Sequence, residues 1–257
     1  MHERPYWDHA ALALENATPA VLAIGDSWFW YPIGAALLDP VNSLVWKKQY
    51  AIYAIGNNGA ELGDYVHGGK YRTPIKMALD SWGNGLSAVF LSGGGNDFAG
   101  WTDMRKLLKA QCAAETTAES CFSPEAVKKL YDDLARDFVS LVMDIESRCP
   151  AATIVVHTYD YALPSGVGLF GHSKWLQRPM ADSGVRESLM RPCVRHLIDS
   201  FSRTLGRIAA THPRVKVVDS RGCLRDDEWA NELHPTPAGF QRIALESWGP
   251  VLKTILP

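Results

Sequence analysis

The stretch Ala20-Val21-Leu22-Ala23-Ile24-Gly25-Asp26-Ser27 is an apolar run that ends abruptly in a polar turn. Five consecutive apolar residues, without polar alternation, are typical of a strand that is buried on both faces of a sheet. Four more short and partly β-branched runs have the same character, at residues 50–55, 87–92, 153–158 and 215–219. The sequence therefore predicts a central parallel sheet of about five strands.

Longer segments with helical spacing lie between or after these runs, at about residues 41–49, 73–83, 124–147, 187–211 and 237–255. The third begins with Ser123-Pro124-Glu125, a helix-start signal with proline in the first turn. Alternation of strands and helices predicts an α/β fold with helices on both faces of the sheet. Two connections, at about 98–123 and 161–184, exceed ordinary loop length, and such loops are often functional. No repeat or linker composition is present, so we expect a single domain over residues 1–257.

The overall charge argues against two classes of partner. A formal net charge of −2 leaves no electrostatic footprint for nucleic acid or for anionic lipid. No stretch approaches the roughly 18–20 apolar residues that a membrane-spanning helix needs. Residues 1–8 contain acidic side chains and a proline where a secretory signal has a basic flank and an apolar run. These features predict a cytoplasmic protein that does not bind nucleic acid and does not span a membrane.

The cysteines match no metal or disulfide framework. Five are present, an odd number, and they are widely spaced along the chain. Ordinary reduced thiols are the favoured interpretation. A bridge between Cys112 and Cys121 under oxidising conditions is the alternative.

Polar residues follow several of the predicted strands at the point where each strand ends. In an open parallel sheet, ligands bind beyond the carboxyl ends of the strands. Ser27 follows the first strand, glycine-rich turns follow the second and third, and His234 lies shortly after the last. Acyl transfer from an ester needs a nucleophile, a base and donors aimed at the oxyanion. Ser27 and His234 fit the first two roles. The Ser27 N–H, a glycine N–H after strand two and the Asn96 side chain fit the third.

Each of these features, taken alone, has a simpler structural interpretation. Gly-Asp-Ser is a common turn, the glycine-rich segment 93–97 suits a flexible turn, and His234-Pro235 suits a loop that starts a helix. The four segments occur in a fixed order, however, and each follows its own strand. Their combination favours a catalytic site.

Together the four segments resemble the SGNH or GDSL hydrolase family, nearly from end to end of the chain. The family's Gly-Asp-Ser-Leu block is similar to Gly25-Asp26-Ser27-Trp28, and its Gly-Xaa-Asn-Asp block is similar to residues 94–97. The last block, Asp-Xaa-Xaa-His-Pro, is similar to residues 231–235. In the second block an Asn precedes the oxyanion glycine by five residues. On that spacing Asn58 assigns the role to Gly63, with Gly59 as the fallback.

The resemblance implies a flavodoxin-like sheet between two layers of helices. It also implies hydrolysis of esters or thioesters through an acyl-serine intermediate, with a small ester as substrate and without a metal or an organic cofactor. Two alternatives stay open: an acyltransferase that uses the same site, and a non-catalytic binding protein on the same fold. The oligomeric state is not indicated by any pattern in the sequence.

The chain departs from the family pattern at one position, where Asn231 replaces the aspartate that orients the histidine. The same replacement in a serine protease triad lowers turnover by about 10⁴, because it presents the wrong imidazole tautomer. An asparagine can still offer its carbonyl oxygen to the imidazole N–H. Three interpretations remain: Asn231 orients His234, a carboxylate of Glu232, Asp227 or Asp160 substitutes, or catalysis is feeble.

Three residues beside the predicted site are candidates for binding substrate. Trp28 opens the aromatic run at residues 28–31, which either packs in the core or forms the wall of an acyl or sugar pocket. Asp160 and Tyr161 follow the fourth strand and either bind substrate or cap the strand. The segment 166–175, with its glycines and Phe170, is either a mobile cover or an ordinary surface loop.

Overall fold

A computed structural model describes residues 4–31 and 36–256, so residues 1–3 of the polar N-terminal segment lie outside it. Six strands form one parallel sheet in the order β1-β3-β2-β4-β5-β6. Their bounds are β1 (Pro5–Tyr6), β2 (Val21–Gly25), β3 (Ile52–Gly56), β4 (Ala88–Ser92), β5 (Thr153–His157) and β6 (Val215–Val218). The five predicted strands are confirmed. The edge strand β1 was not predicted, because two residues are too few to produce a pattern.

The helices in the described part of the chain are α1 (His9–Leu14), α2 (Leu38–Pro40), α3 (Leu62–Val66), α4 (Gly69–Trp82), α5 (Trp101–Leu107), α6 (Pro124–Arg148), α7 (Gln177–Asp182), α8 (Glu187–Thr211), α9 (Pro237–Arg242) and α10 (Gly249–Leu252). Single π-helical segments, Val41–Val45 and Ile243–Trp248, continue α2 and α9. All five predicted helices are present; α8 has the predicted bounds, and the ends of the other four are shifted. The unpredicted helices α1, α3, α5 and α7 have seven residues or fewer, and α5 and α7 lie inside the two long connections.

The strand order places one crevice at the carboxyl edge of the sheet. The chain leaves β2 toward β3 on one side, whereas β4, β5 and β6 follow in order on the other side. The direction of winding therefore reverses between β2 and β4, which is where an open α/β sheet binds ligands. Ser27 directly follows β2 and the segment 93–97 directly follows β4, so both lie at this crevice.

Helices pack on both faces of the sheet and bury its centre. Every residue of β2 and β4 is buried, as their uninterrupted apolar sequences predict. The long helices α6 and α8 contact each other, and α3 and α4 also contact α6. The helical segments 38–45 and 237–252 form a separate packed group. The predicted three-layer α/β sandwich is confirmed, and strands β2 to β6 have the flavodoxin-like order.

The structure also bears on two expectations from the sequence, concerning membrane-spanning helices and the state of the cysteines. No helix in residues 4–31 and 36–256 has the length and apolar character needed to cross a membrane. All five cysteines are free thiols, and four of them, including Cys112 and Cys121, are buried.

Candidate active site

Ser27 lies in the turn that follows β2, with its side chain facing the histidine from the other end of the chain. The Asp26 carboxylate accepts the N–H of Trp28 at 3.0 Å, which holds the turn closed. Ser27 is only 7 % exposed. The distance between Ser27 Oγ and His234 Nε2 is 2.7 Å, so a hydroxyl and an imidazole that are 207 residues apart in sequence are hydrogen bonded.

Asn231 occupies the position behind the imidazole. Its Oδ1 atom lies 3.0 Å from His234 Nδ1, and it also accepts the backbone N–H groups of Leu233 and His234. An amide oxygen can only accept, so Nδ1 must carry the proton and Nε2 must accept from the Ser27 hydroxyl. Asn231 thus selects the tautomer that a general base requires.

Burial keeps this imidazole neutral. His234 is 7 % exposed, and the loss of solvation lowers its pKa to about 4. No carboxylate in the described part of the chain forms a hydrogen bond or an ion pair with His234 to oppose this effect. At neutral pH the ring is therefore ready to accept a proton, but its protonated form has no counter-charge.

The three carboxylates considered as substitutes for the triad acid have other surroundings. The Glu232 carboxylate accepts backbone N–H groups of residues 166, 176 and 177 and the Ser173 hydroxyl, so it anchors the long loop. Asp160 accepts the backbone N–H groups of residues 161, 222 and 224 and caps the end of β5. Asp227 is exposed in a short 3₁₀ turn. Among these candidates only Asn231 contacts the imidazole.

Two potential oxyanion donors lie beside Ser27. Asn96, which follows β4, donates one Nδ2 proton to the Ala60 carbonyl at 2.9 Å, and its second Nδ2 proton makes no further hydrogen bond in the described part of the chain. Gly59 has a φ of +73°, and apart from its own chain neighbours no atom of the described residues lies within 4 Å of an ideal Cβ built there. The N–H groups of Ser27 and Gly59 form no hydrogen bond within residues 4–31 and 36–256. Three donors are thus free in one region.

Gly63, which the sequence spacing selected, has different surroundings. It lies in the first turn of α3, where the atoms nearest to an ideal Cβ belong to Asp137 and His67. Gly59, and not Gly63, lines the cavity that contains Ser27 and His234. The structure therefore favours the fallback glycine for this role.

Two cavities meet at Ser27 and Asn96. The larger, about 140 Å³, is lined by His234, Tyr31, Gly59, Leu169 and Trp175. The smaller, about 40 Å³, is lined largely by apolar and aromatic groups, including Trp28, Phe98, Ala99, Tyr159 and Ile198. The Ser27 hydroxyl is therefore accessible from two pockets of different size.

The residues predicted to bind substrate have separate locations. Trp28 is buried, lines the smaller cavity and donates its indole N–H to the Leu233 carbonyl at 3.1 Å. Asp160 also lines that cavity, but its carboxylate is occupied by backbone amides. Tyr161 donates its hydroxyl to Asp199 at 2.7 Å and lines neither cavity. Of the three, Trp28 is the side chain that presents a surface to the site.

A buried polar network supports the turn that carries Ser27, and sequence reasoning missed it. Asp26 accepts hydrogen bonds from Ser92 Oγ at 2.8 Å and from the Tyr159 hydroxyl at 2.6 Å. His157 Nε2 lies 2.8 Å from the same Ser92 hydroxyl, and burial lowers the pKa of His157 to about 3. Burial raises the pKa of Asp26, although these hydrogen bonds favour its charged form. The only sequence signal was that these polar residues terminate neighbouring strands.

The segment 161–184 covers one side of the site. Leu169 and Trp175 line the larger cavity, and the ring of Phe170 is 83 % exposed. Glu232 fixes both ends of the covering turn through the hydrogen bonds given above. No group of three or more His, Cys, Asp or Glu side chains is arranged to hold a metal ion in the described residues.

Comparison with solved structures places this geometry on a known fold. No family model matches the chain, and neither does any curated protein. The chain is similar to an extracellular lipase from Streptomyces rimosus, with 21% identity, 93% of this chain and 100% of that chain covered and a TM-score of 0.56. It is also similar to phospholipase A1 from Streptomyces albidoflavus, with 19% identity, 93% of this chain and 100% of that chain covered and a TM-score of 0.54. A third similar structure is a protein from Slackia heliotrinireducens assigned as an SGNH hydrolase, with 15% identity, 93% of this chain and 100% of that chain covered and a TM-score of 0.55. At these identities the likeness is one of fold.

Proposed function

We propose that this chain, which has the fold of the SGNH hydrolases, is a serine-dependent hydrolase of carboxylic esters or thioesters. The observation that carries the proposal is the hydrogen-bonded series Ser27 Oγ, His234 Nε2, His234 Nδ1 and Asn231 Oδ1, with contacts of 2.7 and 3.0 Å. A nucleophile, a neutral base and an orienting acceptor are the parts that acyl transfer needs. The neighbouring lipase and phospholipase folds support an ester substrate.

The first half-reaction forms the acyl-serine. As Ser27 Oγ attacks the carbonyl carbon, its proton passes to His234 Nε2 and the carbonyl oxygen becomes an oxyanion. The tetrahedral intermediate then collapses, the bond to the leaving oxygen breaks, and that oxygen takes the proton from Nε2. In the second half-reaction water attacks the acyl carbon and gives its proton to His234 Nε2. The bond from that carbon to Ser27 Oγ then breaks, Oγ takes the proton from Nε2, and the acid is released.

The oxyanion donors in this proposal are the N–H groups of Ser27 and Gly59 and the Nδ2 group of Asn96. Removing one such donor typically lowers turnover by about 10²–10³. Gly59→Ala places a methyl group in the open cavity at a left-handed φ, so we expect a large loss of kcat. Gly63→Ala is the matched control. It lies in a helix, has room for a Cβ, and should leave kcat unchanged.

The position of the base orients the substrate. The leaving oxygen must lie beside His234, so the alcohol or thiol occupies the larger cavity, which contains His234. The acyl group then extends from Ser27 into the second cavity, of about 40 Å³. That volume accommodates only a few non-hydrogen atoms. We therefore propose short acyl esters, with acetyl to butyryl groups, as the substrate class.

A fluorophosphonate probe tests the nucleophile directly. Wild-type protein should be labelled at Ser27 and should hydrolyse p-nitrophenyl acetate, whereas Ser27→Ala should do neither. Ser220→Ala is the matched control, because it removes a buried hydroxyl that lines neither cavity and forms no hydrogen bond in the described residues, and it should retain labelling. A folded wild type that resists the probe would support the rival function, a non-catalytic binding protein, which the neutral Asn231 side chain favours.

A further inference from the structure

The proposed reaction requires a buried positive charge that lacks the usual counter-charge. His234 becomes an imidazolium when it accepts the Ser27 proton, and it does so at a site with 7 % exposure. The residue behind it, Asn231, is neutral and supplies only an amide oxygen. A charge in such surroundings is costly unless other groups compensate for its lost solvation. Another side chain in contact with the ring would therefore be expected to contribute.

Tyr31 is in direct contact with the imidazole. The ring centroids of Tyr31 and His234 are 4.4 Å apart and their planes are inclined by only 21°, so the two rings are stacked. Tyr31 is itself 9 % exposed, which means that little water screens this contact. The face of an aromatic ring carries negative partial charge and attracts a cation within about 6 Å of its centroid. The stacked geometry thus favours the protonated form of His234 over the neutral form.

The hydroxyl of Tyr31 makes a second contact with the same unit. It accepts a hydrogen bond from Asn231 Nδ2 at 3.1 Å. The amide therefore has its donor group paired with Tyr31, and its oxygen, which accepts the backbone N–H groups of Leu233 and His234, is directed at His234 Nδ1. Burial raises the pKa of the Tyr31 phenol, so the group is neutral and adds no charge of its own.

The other groups that face His234 are few. Ser27 lies at Nε2 and Asn231 at Nδ1, and Trp175 approaches with ring centroids 5.9 Å apart at 83°. The uncharged residues Asn58, Gly59 and Leu169 line the same cavity as His234. In the described residues none of these neighbours carries a formal charge. Tyr31 is the aromatic ring that stacks face to face with the imidazole.

We propose that Tyr31 is a positioning residue that replaces the missing triad carboxylate. Its ring face stabilises the imidazolium of His234, and its hydroxyl adds one hydrogen bond to the Asn231 amide. The proposal rests on the proposed hydrolase function for its catalytic consequence. The effect on protonation of His234 is independent of that function.

Two substitutions separate the ring from the hydroxyl. Tyr31→Phe keeps the stacked face and should retain kcat/KM within about threefold, because backbone N–H groups still hold the Asn231 oxygen. Tyr31→Leu removes the face and should lower kcat/KM by roughly 3- to 30-fold, the range from an exposed to a desolvated cation–π contact. In an Asn231→Asp background the carboxylate supplies the missing counter-charge. Tyr31→Leu should therefore lower kcat/KM by a smaller factor there than in the wild-type background. A merely structural role for Tyr31 would give equal losses in both backgrounds.

The protonation of His234 gives a readout that does not depend on activity. In an NMR titration of ¹⁵N-histidine-labelled protein, Tyr31→Leu should lower the pKa of His234 in both backgrounds, whereas Tyr31→Phe should not. If Tyr31 only excludes water, its loss would hydrate the ring and raise the pKa instead. A raised or unchanged pKa overturns the proposal. A lowered pKa in a protein that resists the fluorophosphonate probe leaves the proposal standing and refutes the hydrolase function.

A series of fluorinated phenylalanines at position 31 keeps the test valid if the leucine variant does not fold. These residues preserve the shape of the ring but progressively weaken the negative charge of its face. We expect kcat/KM and the pKa of His234 to fall together with increasing fluorination. No trend across the series would overturn the proposal.

Discussion

Replacing Asn231 with aspartate should accelerate the proposed reaction, because it restores a negative charge next to the imidazolium. The substituted oxygen would lie where Oδ1 now lies, 3.0 Å from His234 Nδ1. Two backbone N–H groups and the Tyr31 hydroxyl surround the side chain and can satisfy a carboxylate. The substitution is therefore nearly isosteric, and its main effect is electrostatic.

The magnitude follows from the distance between the charges. Two unit charges with centres about 4 Å apart attract by about 4 kcal/mol at an effective dielectric constant of 20. We expect about half of this to be retained, since the amide dipole of Asn231 is lost and Tyr31 must turn its O–H toward the carboxylate. A gain of about 2 kcal/mol corresponds to roughly 30-fold in kcat/KM. This is less than the effect of about 10⁴ in a protease triad, because Asn231 already selects the correct tautomer.

The assay is hydrolysis of p-nitrophenyl acetate between pH 4 and 9, with kcat and KM measured separately. The carboxylate should also raise the pKa of His234 from about 4, so the acidic limb of the profile should move to higher pH. Asn58→Asp is a matched control, because it places the same charge on the wall of the same cavity without a contact to the imidazole. An unchanged or lower kcat/KM for Asn231→Asp, in a folded protein, would refute the assigned role of Asn231.

In the wild type, kcat/KM should be independent of pH above about pH 5 and should fall as His234 is protonated near pH 4, because burial lowers the pKa of His234. A fall in kcat/KM centred near pH 6.5 would contradict this. Ile198→Ala should enlarge the smaller cavity and shift the preference in a p-nitrophenyl ester series toward longer acyl chains. Leu169→Ala in the other cavity should leave that preference unchanged. Glu232→Ala should lower the free energy of unfolding by about 2–4 kcal/mol, because three backbone N–H groups in the segment 161–184 lose their acceptor. An unaltered denaturation midpoint would show that Glu232 does not anchor that segment.

The predicted elements that proved right are those with a strong local signal. Uninterrupted apolar runs such as residues 20–24 are stable only when both faces are covered, so they identify buried parallel strands without reference to the rest of the chain. The carboxyl ends of such strands share one edge, and this brings Ser27, Asn96 and His234 together in the structure. By contrast, β1 and the short helices contain too few residues for a periodic pattern and are stabilised by contacts with the finished sheet.

The sequence by itself determined which polar residues follow each strand, and hence which side chains reach the crevice at the carboxyl edge of the sheet. Only the tertiary structure decided how those side chains pair. It placed Gly59 rather than Gly63 beside Ser27, directed Glu232 and Asp160 to loop amides, and stacked Tyr31 on His234. The physical reason is the distance along the chain over which each feature is encoded. A buried strand is indicated by apolar residues that are adjacent in sequence, whereas the contacts of Tyr31 and Ser27 with the histidine loop join segments about 200 residues apart.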